Sequence, residues 1–494
     1  MNRQPFRIGR VTFDYPPLYQ KKEGLSADAR EDALSAELKR RYPDVLFDMY
    51  TPLGDGGVRT AEDAENCVTL LKQHDVDCLI LEFDHWTRVA LAIRLILDLN
   101  LPTALVANTT SGRNGITAAT AIGASLKETD RGPIINCTER FMDTRVDEIC
   151  TWIMGISALK SLHSSRIMSF GGSYGAEIPF TRVDETLLEQ MFVSEIMTEQ
   201  ELVIIEGARS ILSNAPDRVT GFISWLEKNA GRVVYDEKML TRESLAFQAA
   251  MYLALKDRLK ELEGERIKGV TIKCHFEVST TCIGCTECLI PAFLPFSADA
   301  EGEKEVIPVA CEGDINGLIG LMLLHSLNPS APPLFGDLVA YKEDHLLLRN
   351  CGSSSVYWAG RSSVPEKTLP KVELLPNMHG KSGAAVHYET PECDEITLAR
   401  LFRIHGRYYL HYGVGKILPE TKETRYDDPW PHTRLKFPSD PYLFFKTAPC
   451  NHTSITEGDV TRELEVFCRY TGIQGVRCDS DEALDAFLGM NGET

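Results

Sequence analysis

Two carboxylates, Glu312 and Asp337, each stand where an apolar, strand-like run meets a glycine. Glu312 lies in VIPVACEGD and Asp337 lies in PLFGDL. In α/β proteins the ends of strands are the places where ligand-binding side chains are displayed. Carboxylates there can bind a hard divalent cation or transfer protons. The pair therefore predicts a metal or acid/base site, and a role in local capping or pairing stays open as the alternative.

His452 is the candidate for a third ligand. It lies in APCNHTSITEGD, a break between two apolar patterns, and functional residues often lie in such loops. Oxygen ligands suit Mn²⁺ and Mg²⁺, whereas an added imidazole favours Mn²⁺. Glu312, Asp337 and His452 therefore predict a Mn²⁺ site. His452 is also one of twelve histidines, so an ordinary structural role stays open.

The run CIGCTEC is a competing candidate site. It places Cys282, Cys285 and Cys288 at two-residue separations, as in part of an iron–sulfur or zinc ligand set, with Cys274 or Cys311 as a fourth ligand. The segment lacks the second close cysteine pair of a zinc ribbon. Buried or loop thiols are the alternative, and an iron–sulfur or redox protein is the competing functional hypothesis.

Several other residues could contact a polyhydroxyl ligand. The loop SFGGSYG lacks both the GxGxxG spacing and the Lys-Ser/Thr pair of a P-loop, so it favours a tight turn or a close backbone approach over nucleotide binding. Trp86 and Trp430 have polar neighbours, and such rings can stack on the apolar face of a sugar. Arg10, which we place after the first strand, could donate paired hydrogen bonds to hydroxyls. Core packing for the tryptophans and a surface position for Arg10 are the alternatives.

Alternating strand and helix patterns must position these residues. In the first third, strand-like runs such as RIGRVTF and DCLILEF alternate with helical patterns over 29–41, 61–72 and 89–99. A second unit begins near RIMSFGGSYG and continues through helical patterns over 215–229 and 242–263. This alternation predicts parallel sheets covered on both faces by helices. Asp314 is predicted to cap the helix that follows the Glu312 strand.

The sequence pattern changes after Asp337, where short β-rich runs are separated by Gly, Pro and Asn. Together these runs predict an antiparallel sheet or barrel, interrupted by one helical pattern over 459–470. The runs are HLLLRN, KVELLPN, GAAVHYE, EITLARLFRI, RYYLHYGVGKIL and YLFFKT.

The predicted fold class is therefore α/β, with two doubly wound α/β domains followed by a C-terminal β-barrel-like domain. We place the boundaries at 1–163, at 164–327 with Glu312, and at 328–494 with Asp337 and His452.

Composition narrows the functional classes. The formal net charge of −19, from 52 Lys+Arg against 71 Asp+Glu, argues against nucleic-acid or anionic-membrane partners because phosphate groups would be repelled. No apolar run approaches the ~20 residues that span a bilayer. The start MNRQPFRIGRVTF lacks the features of a signal peptide, so we expect a cytoplasmic protein. Fourteen cysteines are too few for a disulfide scaffold, and reduced thiols are expected.

Several segments together resemble one known family. ACEGDINGLIGLMLLHSLNPSAPPLFGDL resembles the signature segment of L-fucose isomerase and its D-arabinose-acting relatives. HLLLRNCGSSS, CNHTSITEGD and SFGGSYG resemble the family's Asn-Ser-Gly-Ser, Asn-His and Gly-Gly loops. The resemblance implies two α/β domains with a C-terminal β-barrel domain. The chain resembles a short form of the family, since it is shorter than the bacterial L-fucose isomerases. Most of the length that it lacks relative to them lies between SSSVYWAG and DPWPHTR.

The resemblance also implies a reaction and its residues. Glu312, Asp337 and His452 would bind Mn²⁺, replaceable by Mg²⁺ or Co²⁺, and the two carboxylates would exchange protons with the substrate. The implied activity is aldose–ketose isomerisation through a cis-enediol, acting on an L-fucose/D-arabinose-type sugar or a 6-substituted hexose such as sulfoquinovose. Sugar contacts are implied for Arg10, Trp86, Tyr174, Glu277, Ser353, Trp430 and Asn451.

Two departures from the family pattern affect the substrate. Glu277 stands where the family has Gln, and Tyr174 stands where Met is usual, so the identity of the sugar stays open. Family members form hexamers, which implies a homo-oligomer in which Trp86 acts in a neighbouring subunit's site. A non-catalytic sugar-binding homologue is the remaining alternative.

Overall fold

A computed structural model shows two compact units. One comprises residues 1–160 with 462–472, and the other comprises 161–461 with 473–494. The second and third predicted domains thus fall almost entirely in one unit, because they share a hydrophobic core that runs from Met168 to Leu484. The structure describes residues 5–14, 27–54, 56–110, 114–128, 138–342, 344–419 and 428–491, with backbone only for 27–32.

The first unit contains a five-stranded parallel sheet. Its central strands Cys78–Phe83 and Thr103–Ala107 are buried throughout, as expected for a sheet covered on both faces. The predicted strand-helix alternation is confirmed here. In sheet order the strands are Phe47–Tyr50, Phe6–Phe13, Cys78–Phe83, Thr103–Ala107 and Thr138–Met142. The helices are Ala27–Arg41, Ala61–His74, Val89–Leu99, Gly115–Lys127, Val146–His163 and Thr461–Thr471.

The second unit begins with a four-stranded parallel sheet. Its strands, in sheet order, are Val309–Ala310, Ile267–Ile272, Arg166–Phe170 and Glu195–Glu199. The longer helices connecting these strands are Glu185–Met191, Leu202–Asn214, Pro216–Asn229 and Arg242–Glu261, and Leu289–Phe293 is a short one.

The same unit contains a closed antiparallel barrel of six strands. Cys393–Ile404 pairs with both His452–Glu457 and Arg407–Ile417, which closes the sheet on itself. The predicted barrel is therefore confirmed. Its strands, in order, are Cys393–Ile404, His452–Glu457, Leu334–Tyr341, Leu346–Arg349, His432–Lys436 and Arg407–Ile417, and Gln474–Arg477 adds a parallel strand to the last.

Two of the predicted β-rich runs lie outside the barrel. KVELLPN and GAAVHYE supply Glu373–Pro376 and Ala384–His387, which form a separate sheet with Arg232–Val233. A further two-stranded sheet pairs Ala298–Asp299 with Gly302–Glu303. The remaining helices of the described residues are Ile315–Leu327, Tyr357–Gly360, Pro365–Thr368, Pro441–Thr447 and Asp481–Asn491, with single turns at Gly175–Glu177, Pro179–Thr181, Glu263–Glu265, Glu277–Thr281 and Leu369–Lys371.

The prediction of a strand at YLFFKT is wrong. Residues Pro441–Thr447 form a helix whose first turn begins with proline. Asp440 caps it, since its Oδ1 accepts a hydrogen bond from the Leu443 amide at 2.8 Å. An aspartate followed by proline is a helix-start signal, and here it outweighs the β propensity of the aromatic residues.

The helix Ile315–Leu327 positions the candidate site. It packs against the parallel strand Ile267–Ile272 and the barrel strands Cys393–Ile404 and His452–Glu457. Nearly all of its residues are buried, including both sides of the helix. The loop that enters this helix therefore lies where the parallel sheet meets the barrel. Among the described residues, no helix combines the length and the apolar character needed to cross a membrane.

Candidate metal centre

Glu312 stands at the carboxyl end of the parallel sheet, between Val309–Ala310 and the helix Ile315–Leu327. Its backbone has φ +60°, and Gly313 follows with φ +65°. A left-handed conformation costs a non-glycine residue about 1–3 kcal/mol and is found most often at functional sites. Asp314 then caps the helix, because its Oδ1 accepts a hydrogen bond from the Gly317 amide at 2.9 Å. The predicted N-cap is confirmed.

The glycine loop after Phe170 supports this turn. A side chain at Gly175 would place its Cβ 1.9 Å from the Glu312 carbonyl oxygen. Tyr174, Ala176 and Glu177 in the same segment also have positive φ. The loop at Gly175 therefore packs directly against the backbone of Glu312 and helps to hold that residue in its conformation.

Asp337 and His452 lie opposite each other on neighbouring barrel strands. Directly paired residues in an antiparallel ladder have Cβ atoms about 5 Å apart, so the register alone brings these side chains together. His452 Nε2 lies 3.5 Å from Asp337 Oδ1 and 3.2 Å from Glu312 Oε2. The structure thus brings together all three predicted ligands.

Two of the separations in this set are close to those around a six-coordinate cation, although among the described residues these three are not a group whose ligand atoms all lie within 4.8 Å of one another. Neighbouring ligands at bond lengths of about 2.1 Å in an octahedron lie about 3.0 Å apart. The two distances from His452 Nε2, 3.2 and 3.5 Å, are close to that value. An oxygen-rich set with one imidazole suits Mn²⁺.

Asp314 and Arg400 hold the His452 ring. The ring donates Nδ1–H to Asp314 Oδ2 at 2.8 Å, which leaves Nε2 directed at the two ligand carboxylates. Arg400 binds Asp314 with both terminal nitrogens, at 2.5 and 3.1 Å, and both side chains are fully buried. A carboxylate on the far nitrogen of a histidine ligand is a common means of fixing its orientation in metal sites.

The electrostatics of the site favour a positive charge at its centre. Burial opposes ionisation of Glu312, but His452 outweighs it and holds the pKa of this carboxyl below its usual value. Burial raises the pKa of Asp337, and the neighbouring Glu312 charge adds to the effect. Burial also opposes a charge on His452, yet its hydrogen bonds to Asp314 and Glu312 raise its pKa to about 10.

A second group of ligand atoms uses the other oxygen of Glu312. Cys351 Sγ lies 3.4 Å from Glu312 Oε1, and His275 Nε2 lies 4.0 Å from the same oxygen and 3.7 Å from the sulfur. Among the described residues, these three are the group of His, Cys, Asp and Glu whose ligand atoms all lie within 4.8 Å of one another.

Asn451 and Trp430 lie close to charged groups of the barrel. Asn451 donates Nδ2–H to Asp337 Oδ1 at 2.5 Å, so it contacts a predicted ligand directly. The ring of Trp430 stacks on His379 with centroids 4.7 Å apart, and the Arg349 guanidinium lies 4.7 Å from its centroid. Both predicted sugar contacts stay predictions.

The other predicted contacts of this unit have varied surroundings. Tyr174 carries the Arg182 guanidinium 3.9 Å from its ring centroid. Glu277 is exposed and pairs with Lys273 at 2.9 Å. Ser353 is buried and donates its hydroxyl to the Cys288 carbonyl at 2.5 Å.

Arg10 and Trp86 belong to the first unit. Arg10 lies within the strand Phe6–Phe13 rather than after it, is fully buried, and pairs with Glu82 at 3.0 Å. Both the predicted position and the surface alternative for Arg10 are therefore wrong, because Glu82 on the neighbouring strand supplies a buried counter-charge. Trp86 is 37% exposed.

The CIGCTEC cysteines have separate environments. Cys282 is exposed, the Cys285 thiol contacts the Ser244 carbonyl at 3.6 Å, and Cys288 accepts from Asn377 at 3.3 Å. These three are not a converging ligand group among the described residues. Cys67, Cys78 and Cys468 are buried.

Sequence reasoning missed four residues of this site. Asp314 was predicted only as a helix cap, and Arg400, His275 and Cys351 were not predicted to take part. Cys351 and His275 each follow a strand end closely, which was the signal used for Glu312 and Asp337 and could have identified them. Arg400 carried no such signal, because it lies inside a long strand.

No family model matches this chain, and no curated protein matches it.

Proposed function

We propose that this chain is a Mn²⁺-dependent aldose–ketose isomerase that interconverts an open-chain aldose and its ketose through a cis-enediol. The observation that carries the proposal is the position of His452. Its Nε2 faces both Glu312 Oε2 and Asp337 Oδ1, while Asp314 holds its other nitrogen. Two carboxylates and one oriented imidazole form a ligand set suited to a cation that also contacts a substrate.

Glu312, Asp337 and His452 would hold the cation, which could also be Mg²⁺ or Co²⁺. When bound, it supplies Lewis acidity, polarising the sugar carbonyl and lowering the energy of the negatively charged oxygen that develops.

The two carboxylates are suited to different proton transfers. The lowered pKa of Glu312 keeps it ionised, so we assign it the removal of the proton at carbon. The raised pKa of Asp337 suits exchange of a proton with a sugar oxygen. Environments that push two neighbouring carboxyl pKa values apart commonly separate the roles of base and acid. General acid/base catalysis of this kind contributes about 10²–10⁴-fold to the rate.

The proposed substrate is an L-fucose/D-arabinose-type sugar or a 6-substituted hexose such as sulfoquinovose. Asn451, which contacts Asp337, is placed to position a hydroxyl near that carboxylate. Tyr174, Glu277, Ser353 and Trp430 complete the proposed sugar contacts of this unit, and Trp86 is proposed to act in a neighbouring subunit's site, as the resemblance implies. We further propose a cytoplasmic homo-oligomer, a hexamer as in the family that the segments resemble, with no nucleic-acid or membrane partner.

A substrate panel tests the proposal. The full chain is incubated with Mn²⁺ and L-fucose, D-arabinose, L-arabinose or sulfoquinovose in D₂O, and ketose formation is followed by NMR. We expect ketose from at least one sugar, with solvent deuterium entering at the carbon that exchanges its proton. Glu312→Gln should abolish both signals, whereas Glu195→Gln, at an exposed Arg166 pair, should retain them. Normal turnover in Glu312→Gln with full metal content would refute the assignment.

A further inference from the structure

The structure contains a second set of potential metal ligands on the far side of Glu312. Glu312 Oε2 faces His452, whereas Oε1 faces Cys351 and His275. One carboxylate thus presents its two oxygens to two different ligand sets. A bridging carboxylate is a usual means of linking two metal ions that lie about 3.5–4 Å apart.

The geometry of the second set matches a tetrahedral ion. With Zn–S of about 2.3 Å and Zn–N or Zn–O of about 2.0–2.1 Å, the ligand atoms of a tetrahedron lie about 3.3–3.6 Å apart. The three distances here are 3.4 Å for sulfur to oxygen, 3.7 Å for sulfur to nitrogen and 4.0 Å for nitrogen to oxygen. The two sulfur distances lie within about 0.2 Å of these values, whereas the nitrogen-to-oxygen distance would have to close by about 0.7 Å.

The chemistry of the donors differs from that of the first set. A thiolate, an imidazole and a carboxylate suit a borderline-soft ion such as Zn²⁺, whereas two carboxylates and an imidazole suit Mn²⁺. Three protein ligands leave the fourth tetrahedral position open, as in zinc sites that bind water or substrate.

A small cavity adjoins this group, and His275 and Cys351 are among the residues that line it. The buried Glu287 lines the same cavity, and the Cys274 thiol forms a hydrogen bond with its carboxyl group.

We propose that His275, Cys351 and Glu312 Oε1 bind a second divalent cation of the Zn²⁺ class, with Glu312 bridging it to the first centre. The bridge rests on the proposed Mn²⁺ centre, but the second site does not, because His275 and Cys351 belong to it alone. An ion on Oε1 would occupy the Glu312 oxygen that the first centre leaves free to take the proton at carbon, so we expect the second ion to oppose isomerisation rather than to assist it.

Cobalt substitution tests the site. The metal-free full chain is titrated with Co²⁺ while thiolate-to-Co²⁺ charge-transfer absorption is recorded, and bound metal is counted by mass spectrometry. The wild type should bind two ions per chain and develop the thiolate band. Cys351→Ser should lose the band and one ion, and His275→Gln should lose that ion as well. Cys274→Ser is the matched control, since this thiol lines the same cavity outside the ligand group, and it should keep both.

The outcomes separate this site from the proposed function. If Asp337→Asn loses one ion but keeps the thiolate band, the two sites are distinct. A wild type with one ion and a band that depends on Cys351 would leave the second site standing and overturn the Mn²⁺ centre. A wild type that binds Co²⁺ without a thiolate band, or a band that persists in Cys351→Ser, would overturn the second site. If Cys351→Ser fails to fold, loss of the band in folded His275→Gln decides the question.

Discussion

Replacing Asp314 by asparagine isolates the contribution of one buried charge to the candidate centre. Asp314 has three partners: the Gly317 amide, both terminal nitrogens of Arg400, and Nδ1 of His452. Asparagine caps helices about as well as aspartate and has nearly the same shape. Asp314→Asn therefore keeps the cap but removes the negative charge shared by Arg400 and His452.

Loss of this charge should change both the stability of the protein and its affinity for the cation. Arg400 is 1% exposed, so its charge would stay buried without a counter-ion, and breaking such a pair costs about 3–5 kcal/mol. His452 would lose the anionic acceptor that orients it, a change that typically lowers metal affinity about 10–100-fold. We expect both effects in the same variant.

The measurements are kept separate. Denaturant unfolding of the metal-free protein gives the change in stability, and calorimetric Mn²⁺ titration gives the change in affinity. Asp440→Asn is the control, because Asp440 caps an exposed helix start without a buried ion pair, and its loss should stay within about 0.5 kcal/mol. A loss in Asp314→Asn as small as in the control, or unchanged Mn²⁺ affinity, would refute the role assigned to the Arg400 pair.

Three further perturbations test other parts of the second unit. Gly175→Ala should lower the free energy of unfolding by more than Gly172→Ala, as measured by denaturant unfolding. A Cβ at Gly175 would collide with the Glu312 carbonyl. A Cβ at Gly172 meets nothing within 4 Å, so that variant should cost only the about 1–2 kcal/mol of a positive φ. Mn²⁺ at 100 times its Kd should stabilise the wild type by about 2.7 kcal/mol, measured as a rise in Tm over chelator-treated protein, and Asp337→Asn should lose this rise. Burial lowers the pKa of His411 to about 4, partly opposed by Asp479, so the folded state resists its protonation. The contribution of His411 to stability should therefore be full above about pH 6.5 and fall by about 3 kcal/mol as pH drops toward 4. His411→Leu should remove this part of the slope in unfolding measured across that range, whereas the part due to His432, whose pKa burial also lowers to about 4, should remain.

The sequence predicted the parts of the molecule that depend on local pattern. The strand-helix alternation, the barrel and the Asp314 cap are confirmed because each depends on periodicity or on a capping residue close in the chain. The strand predicted at YLFFKT is wrong because two local signals compete there. The helix-start signal of Asp440 and Pro441 outweighs the β propensity of the aromatic residues. The predicted position of Arg10 is wrong because its partner, Glu82, is distant in the sequence and becomes a neighbour only through strand pairing.

The candidate site shows the same limit. Glu312, Asp337 and His452 were chosen by residue type and position, and the structure places them together, while their role with Mn²⁺ stays a prediction. The contacts that hold them could not be predicted. Arg400 reaches Asp314 only because the barrel strand Cys393–Ile404 packs on the helix Ile315–Leu327. That contact depends on tertiary packing between distant segments, which no local pattern encodes.

The position of Asp314 connects the site with the folding of its unit. One side chain caps a helix that is buried on both sides, neutralises a buried arginine from the barrel, and orients a histidine from another barrel strand. The parallel sheet supplies Glu312 and the barrel supplies Asp337 and His452, so the ligand set exists only when both are packed on that helix. We therefore expect binding of the proposed cation to be coupled to packing of the unit, so metal removal should loosen the contact between sheet and barrel before either unfolds on its own. Hydrogen exchange of the chelator-treated protein checks this, since protection should fall first in His452–Glu457 and at the start of Ile315–Leu327 rather than in the first unit. Uniform loss of protection across both units would contradict the coupling.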